Sequence, residues 1–566
     1  MSIFPVVKTL NNKNGSTRSY LYLVKSTYIK ETDSYKQEYI FNFGRIDNPD
    51  TSKLVDSIIE KLSQFSDKVK VLNIEKDIDT DESKTYGEIQ IFRKLWKDLG
   101  FERVLRRYFS KTNKQVDLVE AIFAMVCNRL IAPSSERAVN RWKETVYEPK
   151  WEAYDLHHFY RALDFLVENK EKLELSLYKA TKNLFNYEVD VVMFDTTTVS
   201  YWGEGEEAEE VLKYGYAKNK RNDLKQLVIG IIMDQNGFPI GHEVWEGNKS
   251  DKPAFKEVIE KIKRRYQIGK VILVADRGMV SEENIQYLEE NGYEYILGVK
   301  MRQLNKTRKE ILLGDNEGFT RIGKSLLKVK EIREYELWEK EKEVKKEEIT
   351  EEEEERYKGS NKGKRRWVVC LNEEVESMDR EKREYFRKII EGKIEFNTAK
   401  EWLIRNGYKK YVKIEDMKIS LDEEKLREEE LYDGKWILIT NSKLSSQEVI
   451  GGYKGLAKIE RHFRDLKSEI EVGPIYHYTE KRIRGHIFVC FIALQIKVAL
   501  MKKLRELDEE TSYSEVMNDV SKIKAVEILI GNKRIITRTN LKGKATLAFK
   551  AVKTTIPPKV IEVKDI

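Results

Sequence analysis

The chain has 566 residues, of which 40% are hydrophobic, 10% aromatic and 36% charged, with a formal net charge of +7 and a pI near 8.7. At about 150 residues per domain this length suggests three to four units, and so small a charge excludes a uniformly basic coat, so any surface for a polyanion must be local. Three scattered cysteines, Cys127, Cys370 and Cys490, exclude a disulfide framework or a zinc knuckle and point to a reducing compartment.

The first residues, MSIFPVVKTLNNKNG, lack the basic start and apolar run of a signal peptide. Alternation and turn residues over 1–45 predict a β-meander inside a small β-rich region, 1–75. Residues 76–186 change to three- and four-residue spacing and predict a helical domain. Within it APSSERAVNRWKE marks a helix start. A DNA-binding helix-turn-helix is one reading there, and a plain helical bundle is the commoner one.

Residues 187–300 read as the first part of a sheet domain. EVDVVMFDTTTVSYW is an apolar strand expected to end in Asp195, and QLVIGIIMDQNGFPIGHEVWEGN is a hairpin around Asn236-Gly237. SDKPAFKEVIEKIKRRY is a capped helix. KVILVADRG is a buried strand expected to end in Asp276, followed by a helix and a strand. That order predicts an α/β fold, a mixed sheet with helices against it. Residues 301–433 form a β-rich insertion whose acidic run, EEITEEEEER, is expected to be solvated and mobile. Residues 434–500 return to the sheet domain: a strand, a capping box at Ser445 and Glu448, then the helix containing IERHFRDLK. The rest, 501–566, reads as a helical region and basic tail. The one stretch resembling a membrane span, HIFVCFIALQIKVALM, is interrupted by Gln495 and Lys497 and is shorter than the about 20 residues a span needs.

Three carboxylates stand out. Asp195 and Asp276 each close an apolar strand, where α/β sites tend to sit. Either one alone reads as a turn residue or a cap. With Glu460 they make three hard oxygen donors without a histidine or thiol, a set that suits Mg²⁺ or Mn²⁺ rather than Zn²⁺. At about 100° per residue, Tyr453, Glu460 and Lys467 fall on one line if the helix runs unbroken past Gly451, Gly452 and Gly455. Leu456, Ile459, Phe463, Leu466 and Ile470 form the neighbouring apolar stripe, with Arg461 and Arg464 on the other flank. Glu460 is thus at the border between core and cationic surface, with a surface salt bridge to Arg464 as the plain alternative.

These motifs in chain order, FDTTT, GNKSD, ADRG, IERHFRDLK and the closing YHYTEKRIRGHIFVCFIAL, resemble those of DDE transposases of bacterial insertion sequences. The chain looks like the cut-and-paste group with a Y-x2-R-x3-E-x6-K signature. Tyr453, Glu460 and Lys467 match that signature, and Leu456 stands where it has arginine. The resemblance covers 187–500 strongly and implies an RNase H-like catalytic domain. It implies that Asp195, Asp276 and Glu460 hold Mg²⁺ (or Mn²⁺), two ions about 3.5–4 Å apart, for in-line phosphodiester displacement. It further implies cleavage at the terminal inverted repeats and joining of the freed 3′-OH to target DNA. The implied partners are double-stranded DNA, as transposon ends and target, and a second copy of the chain in a synaptic homodimer, with no membrane. The implied place is the cytoplasm of a bacterium or archaeon, at the nucleoid when bound.

Tyr453, Arg461, Arg464 and Lys467, with Lys220 and Arg221 of KNKRNDLK, are candidate DNA contacts, and EKRIRGH (480–486) adds further cations. Related enzymes close a DNA hairpin and receive a flipped base on an aromatic residue of the insertion, which makes Trp338 and Trp367 candidate stacking residues. A metal-dependent nuclease without strand transfer and a domesticated, non-catalytic DNA-binding protein are the competing readings. GFTRIGKS (318–325) satisfies the P-loop pattern but lacks a strand before it and a helix after it, so it reads as a chance match.

Overall fold

The computed structural model describes residues 2–13, 15–30, 32–66, 78–111, 116–185, 191–202, 208, 210–215, 221, 223–266, 272–278, 280–314, 317–323, 325–395, 411–415, 418–530 and 533–565. The chain forms two compact units.

The first unit comprises Met1–Lys84, Lys524–Asn540 and Pro557–Ile566. Its strands β1 (Ser2–Asn11), β2 (Thr17–Ile29) and β3 (Ser34–Arg45) pair antiparallel in sequence order, the meander that the alternation of 1–45 predicts. Asn48 caps the helix Pro49–Ser63 by accepting from the amide of Asp50. A further strand, β4 (Ile78–Thr85), joins a four-stranded sheet with three strands from the end of the chain.

The second unit, Thr85–Ile523 with Leu541–Ile556, is built on a nine-stranded sheet. Its strands are β5 (Val191–Ser200), β6 (Gln226–Asp234), β7 (Pro239–Glu246), β8 (Ile272–Ala275), β9 (Glu294–Gly298), β10 (Thr320–Arg321), β11 (Leu327–Arg333), β12 (Arg366–Asn372) and, after the separate hairpin β13 (Val412–Glu415) and β14 (Lys418–Leu421), β15 (Lys435–Thr440). The spatial order is β10-β11-β12-β15-β9-β8-β5-β6-β7. β5 is parallel to β8 and β8 to β9, and every other neighbour in this sheet is antiparallel. The run β7-β6-β5-β8-β9 is the RNase H-like mixed sheet that the resemblance implies. The β6–β7 turn forms as its Asn-Gly signal requires: Gly237 takes φ 82°, and the Asp234 carboxylate accepts from the amides of Asn236 and Phe238 at 2.8 and 2.9 Å. The insertion 301–433 supplies β10, β11 and β12 to this same sheet.

The strand containing Asp195 does not end there. The next residues, Thr196, Thr197, Thr198 and Val199, are β-branched and stay paired with β6 as far as Ser200. The acidic run is ordered as the helix Glu351–Gly359, because Thr350 and Glu353 cap it reciprocally and its glutamates crowd the N-terminal, positive end of the helix dipole. Residues 318–323 and 325 lie in the β10–β11 hairpin, where a strand and not a helix follows, while Lys324 itself is outside the described residues. The end of the chain is not only helical: β16 (Lys524–Ile530), β17 (Lys533–Arg538) and β18 (Val560–Asp565) join β4 in the first unit. AVEILI and RIITR carry the β-branched enrichment of strands.

The helix Glu480–Arg505 is the spine of the second unit's core, buried without a break from Gly485 to Lys497 and packed on the helices Leu118–Ile131 and Leu156–Glu168. Its two polar interruptions have partners, although the buried Gln495 Oε1 accepts no hydrogen bond. Gln495 donates to the Pro239 carbonyl at 2.8 Å, and the Lys497 ammonium bridges Asp465 and Glu469. Among the described residues no single helix is long and apolar enough to cross a membrane.

Candidate active site

Parallel register brings two of the three acids together. Phe194 of β5 lies opposite Ala275 of β8, so one step further Asp195 and Asp276 are neighbours across the roughly 4.8 Å strand spacing. Both are half-buried, and Asp195 Oδ1 accepts from the Thr196 amide at 2.7 Å. Side chains alternate along a strand, which puts Met193, Asp195, Thr197 and Val199 on one face of β5. A Cβ on Gly455 would fall 2.5 Å from Met193 Sδ, and one on Gly473 would fall 3.0 Å from Val199 Cγ1. The intervening helix, Leu456–Ser468, therefore lies along that face in the direction of β5.

This arrangement sets the height of Glu460. From Gly455 to Glu460 the helix rises about 7.5 Å, and from Met193 to Asp195 the strand rises about 6.6 Å, so Glu460 is level with Asp195. Ile459, Phe463 and Leu466 are buried as the apolar stripe requires, while Glu460 is exposed at its edge. Among the described residues no ion pair joins Glu460 to Arg464.

The helix is not continuous from Tyr453 to Glu460. One helix, Ser446–Lys454, ends at Gly455 and the next begins at Leu456. The bare Gly455 allows the close approach to Met193. Even so, the Tyr453 hydroxyl donates to Asp276 Oδ1 at 2.9 Å. A Cβ on Gly298 would overlap that hydroxyl, so the glycine at the end of β9 makes room for it. Burial first, then the charge of Asp276 and the hydrogen bond to it, hold the Tyr453 phenol above its ordinary pKa. Glu460 adds to this and Arg277 opposes it. Asp276, Glu460 and Arg277 thus all act on Tyr453 electrostatically.

Arg461, Arg464 and Lys467 are exposed on the Glu460 helix. The helix is tied to the β6–β7 turn by buried His462 at 2.8 Å from the Gly237 carbonyl and by Lys458, which donates to the Asn236 carbonyl at 3.2 Å. Arg221 is exposed, binds Asp223 through two 2.8 Å hydrogen bonds and has its guanidinium 5.0 Å from the Trp202 ring centre. Lys220 lies outside the described residues. The cations of 480–486 are engaged in the fold: Lys481 with Glu168, Arg484 with Glu480 and the Val244 carbonyl, and Arg482 over the Tyr160 ring.

The two tryptophans of the insertion differ. Trp338 is half-buried and stacked on Tyr357, with ring centres 4.6 Å apart and an interplanar angle of 13°. Trp367 is 5% exposed inside β12, with Nε1 donating to Glu334, so it offers no open face to a base.

The donors fit a hard divalent cation. Asp195, Asp276 and Glu460 are carboxylates with no imidazole or thiol among them, and the Tyr453 bond holds one oxygen of Asp276 in place. Among the described residues, two groups hold three donor atoms within 4.8 Å of one another, and the three carboxylates are not one of them. In the first, Glu136 is 2.7 Å from His477 Nε2 and 3.0 Å from His486 Nδ1, with the Arg129 guanidinium 4.0 Å away. That cation already occupies the place of a metal charge. The second group, Asp155, His157 and His158, belongs to a helix start where Asp155 and His158 cap each other.

Sequence reasoning missed Tyr453 as a partner of Asp276.

Residues 188–496 match the family described as Transposase DDE domain, and residues 6–76 match the IS1634 family transposase N-terminal domain. No functionally curated protein matches the chain in sequence. Solved structures that align with it include two transposase complexes. The piggyBac transposase synaptic complex with hairpin DNA does so at 8% identity over 78% of this chain and 82% of that chain, with a TM-score of 0.34. The Mos1 transposase paired-end complex with left transposon end does so at 13% identity over 33% and 60%, with a TM-score of 0.14. Likeness that low adds no weight. The DDE match spans more than half of the chain and includes Asp195, Asp276 and Glu460, and such domains depend on divalent metal. The chain belongs to the DDE transposases of insertion sequences, enzymes that move DNA.

Proposed function

We propose that this transposase binds the terminal inverted repeats of its own insertion sequence, cleaves the DNA ends and joins the freed 3′-OH to target DNA. The observation that carries this reading is the pairing of Asp195 with Asp276 on neighbouring parallel strands, under the helix that brings Glu460 level with them. These three carboxylates would hold Mg²⁺ or Mn²⁺, two ions in all. Bound there, the ions supply activation of a water or 3′-OH and stabilisation of the leaving oxygen. Tyr453 orients Asp276 through its hydroxyl.

Arg461, Arg464 and Lys467, with Lys220 and Arg221, meet DNA phosphates. Leu456 is 8% exposed, so the signature arginine is replaced here by a core side chain and its phosphate contact passes to the neighbouring cations. Trp338 is the remaining stacking candidate of the insertion. Two copies of the chain pair the two DNA ends, in the cytoplasm of a bacterial or archaeal host.

The test incubates purified protein with repeat-end DNA and Mg²⁺. Wild type cleaves and joins, whereas Asp195→Asn and Glu460→Gln do neither. Full activity in those variants would overturn the site, and nicking without joining would favour a nuclease.

A further inference from the structure

Past Asp195, β5 runs on to a groove of about 590 Å³, lined in part by Val199 from the Asp195 face, by Ser200 and Trp202 from the opposite face, and by Lys467, Pro474 and Tyr476. Both walls lead there from the acids. Thr198 is three strand residues, about 10 Å, beyond Asp195, and Lys467 is two helical turns, about 10.5 Å, beyond Glu460. That distance is about three base steps of a DNA strand at 3.4 Å each.

The aromatic pair in the groove is placed by backbone pairing. Tyr201 and Ile475 form a parallel bridge, and both are buried, at 3% and 0% exposure. The next residue on each side points the other way. Trp202 and Tyr476 therefore stand next to each other across one strand spacing, 54% and 56% exposed. Two adjacent exposed rings beside a lysine, with the Arg221 guanidinium 5.0 Å from the Trp202 ring centre, make a surface that combines aromatic area with positive charge. Sites for single-stranded nucleic acid combine these two elements, aromatic platforms for bases and positive charge for the backbone. Paired bases keep their faces stacked inside the duplex, so the ligand that uses such rings is unpaired.

We propose that this groove binds unpaired nucleotides of the DNA strand being cut, with bases stacked on Trp202 and Tyr476 and phosphates toward Lys467. The proposal rests on the transposase reading above and gives that site a second, non-catalytic contact with its substrate.

The test uses the full chain in EDTA, so that nothing is cut. The probes are a short duplex with a single-stranded extension of a few nucleotides containing 2-aminopurine, and the same duplex without the extension. Wild type binds the extended probe more tightly and quenches its fluorescence. Trp202→Ala and Tyr476→Ala each weaken the extended probe by about 5- to 150-fold and leave the blunt duplex unchanged. Trp202→Phe and Tyr476→Phe keep a ring and retain most of the preference. They carry the comparison if an alanine variant melts early.

Equal wild-type affinity for both probes, or quenching that survives in the alanine variants, overturns the groove. If the same protein still binds blunt duplex and cleaves it with Mg²⁺, the transposase reading stands while the groove falls. Wild type that binds neither probe and cuts nothing sinks both.

Discussion

Tyr453 and Asp276 are 177 residues apart in the chain and share a 2.9 Å hydrogen bond, with the phenol donating to Oδ1. Burial and the carboxylate's charge keep that phenol protonated well past the ordinary tyrosine range, so it remains a donor at any working pH. If Asp276 ligates a metal as proposed, a fixed hydroxyl on it orients the carboxylate, as outer partners of metal ligands commonly do. Tyr453→Phe is therefore expected to raise the Mg²⁺ concentration for half-maximal cleavage by about 10- to 100-fold, with much of the rate recovered at saturating metal. An unchanged metal requirement would remove Tyr453 from the site.

Glu460 is exposed at the edge of its helix, and its substitution disturbs no buried contact. Glu460→Gln is expected to abolish cleavage while the thermal melt stays where it is. A variant that loses both activity and stability would show that the carboxylate holds the helix rather than serving the chemistry.

Glu136 is the anion of a buried cluster with His477, His486 and Arg129. Removing its charge leaves buried cations unpaired, so Glu136→Gln should cost about 3–5 kcal/mol in urea unfolding. The pH dependence has a definite sign. Burial opposes charge on His486, but the neighbouring Cys490 and Glu136 outweigh burial and Arg129, and its pKa rises to about 9. Its stabilisation is complete below the ordinary imidazole value near 6.5 and is lost as pH climbs through about 9. Unfolding measured across that window should show wild-type stability falling with pH, and Glu136→Gln should flatten the fall.

Arg464 and Lys467 are exposed on the Glu460 helix, and the proposed function has them meet DNA phosphates. Replacing either with alanine should reduce the slope of log affinity against log salt by about one unit. An unaltered slope would assign that residue to ordinary surface charge.

The P-loop-like stretch is part of the β10–β11 hairpin, without the helix end that cradles phosphate. ATP with Mg²⁺ should leave the melting temperature unchanged, and Lys324→Ala should not alter transposition. An ATP-dependent rise in melting temperature would contradict the hairpin assignment of its function.

Local signals were sufficient wherever the cause is local. Asn236-Gly237 determined a hairpin, Ser445 with Glu448 determined a helix start, and the stripe Ile459, Phe463, Leu466 determined which side of its helix is buried. The order of acids, FDTTT, ADRG and IERHFRDLK, determined the family and hence the chemistry. The extent of β5 was misread because an aspartate after an apolar run looks like a strand end, whereas four β-branched residues beyond it keep the ladder with β6. The acidic run is solvated as expected, and it is helical because a cap and the helix dipole favour its glutamates.

What only the tertiary structure decided are the meetings across long separations. The parallel register of β5 and β8 makes Asp195 and Asp276 neighbours, and a crossover of some eighty residues leaves no trace of register in local pattern. The close approach at Gly455 and Gly473 sets the height of Glu460, and the Tyr201–Ile475 bridge sets Trp202 beside Tyr476. Residue type supplied the chemistry at each position. Strand pairing and helix approach, which depend on the whole core, decided which of those residues share a site.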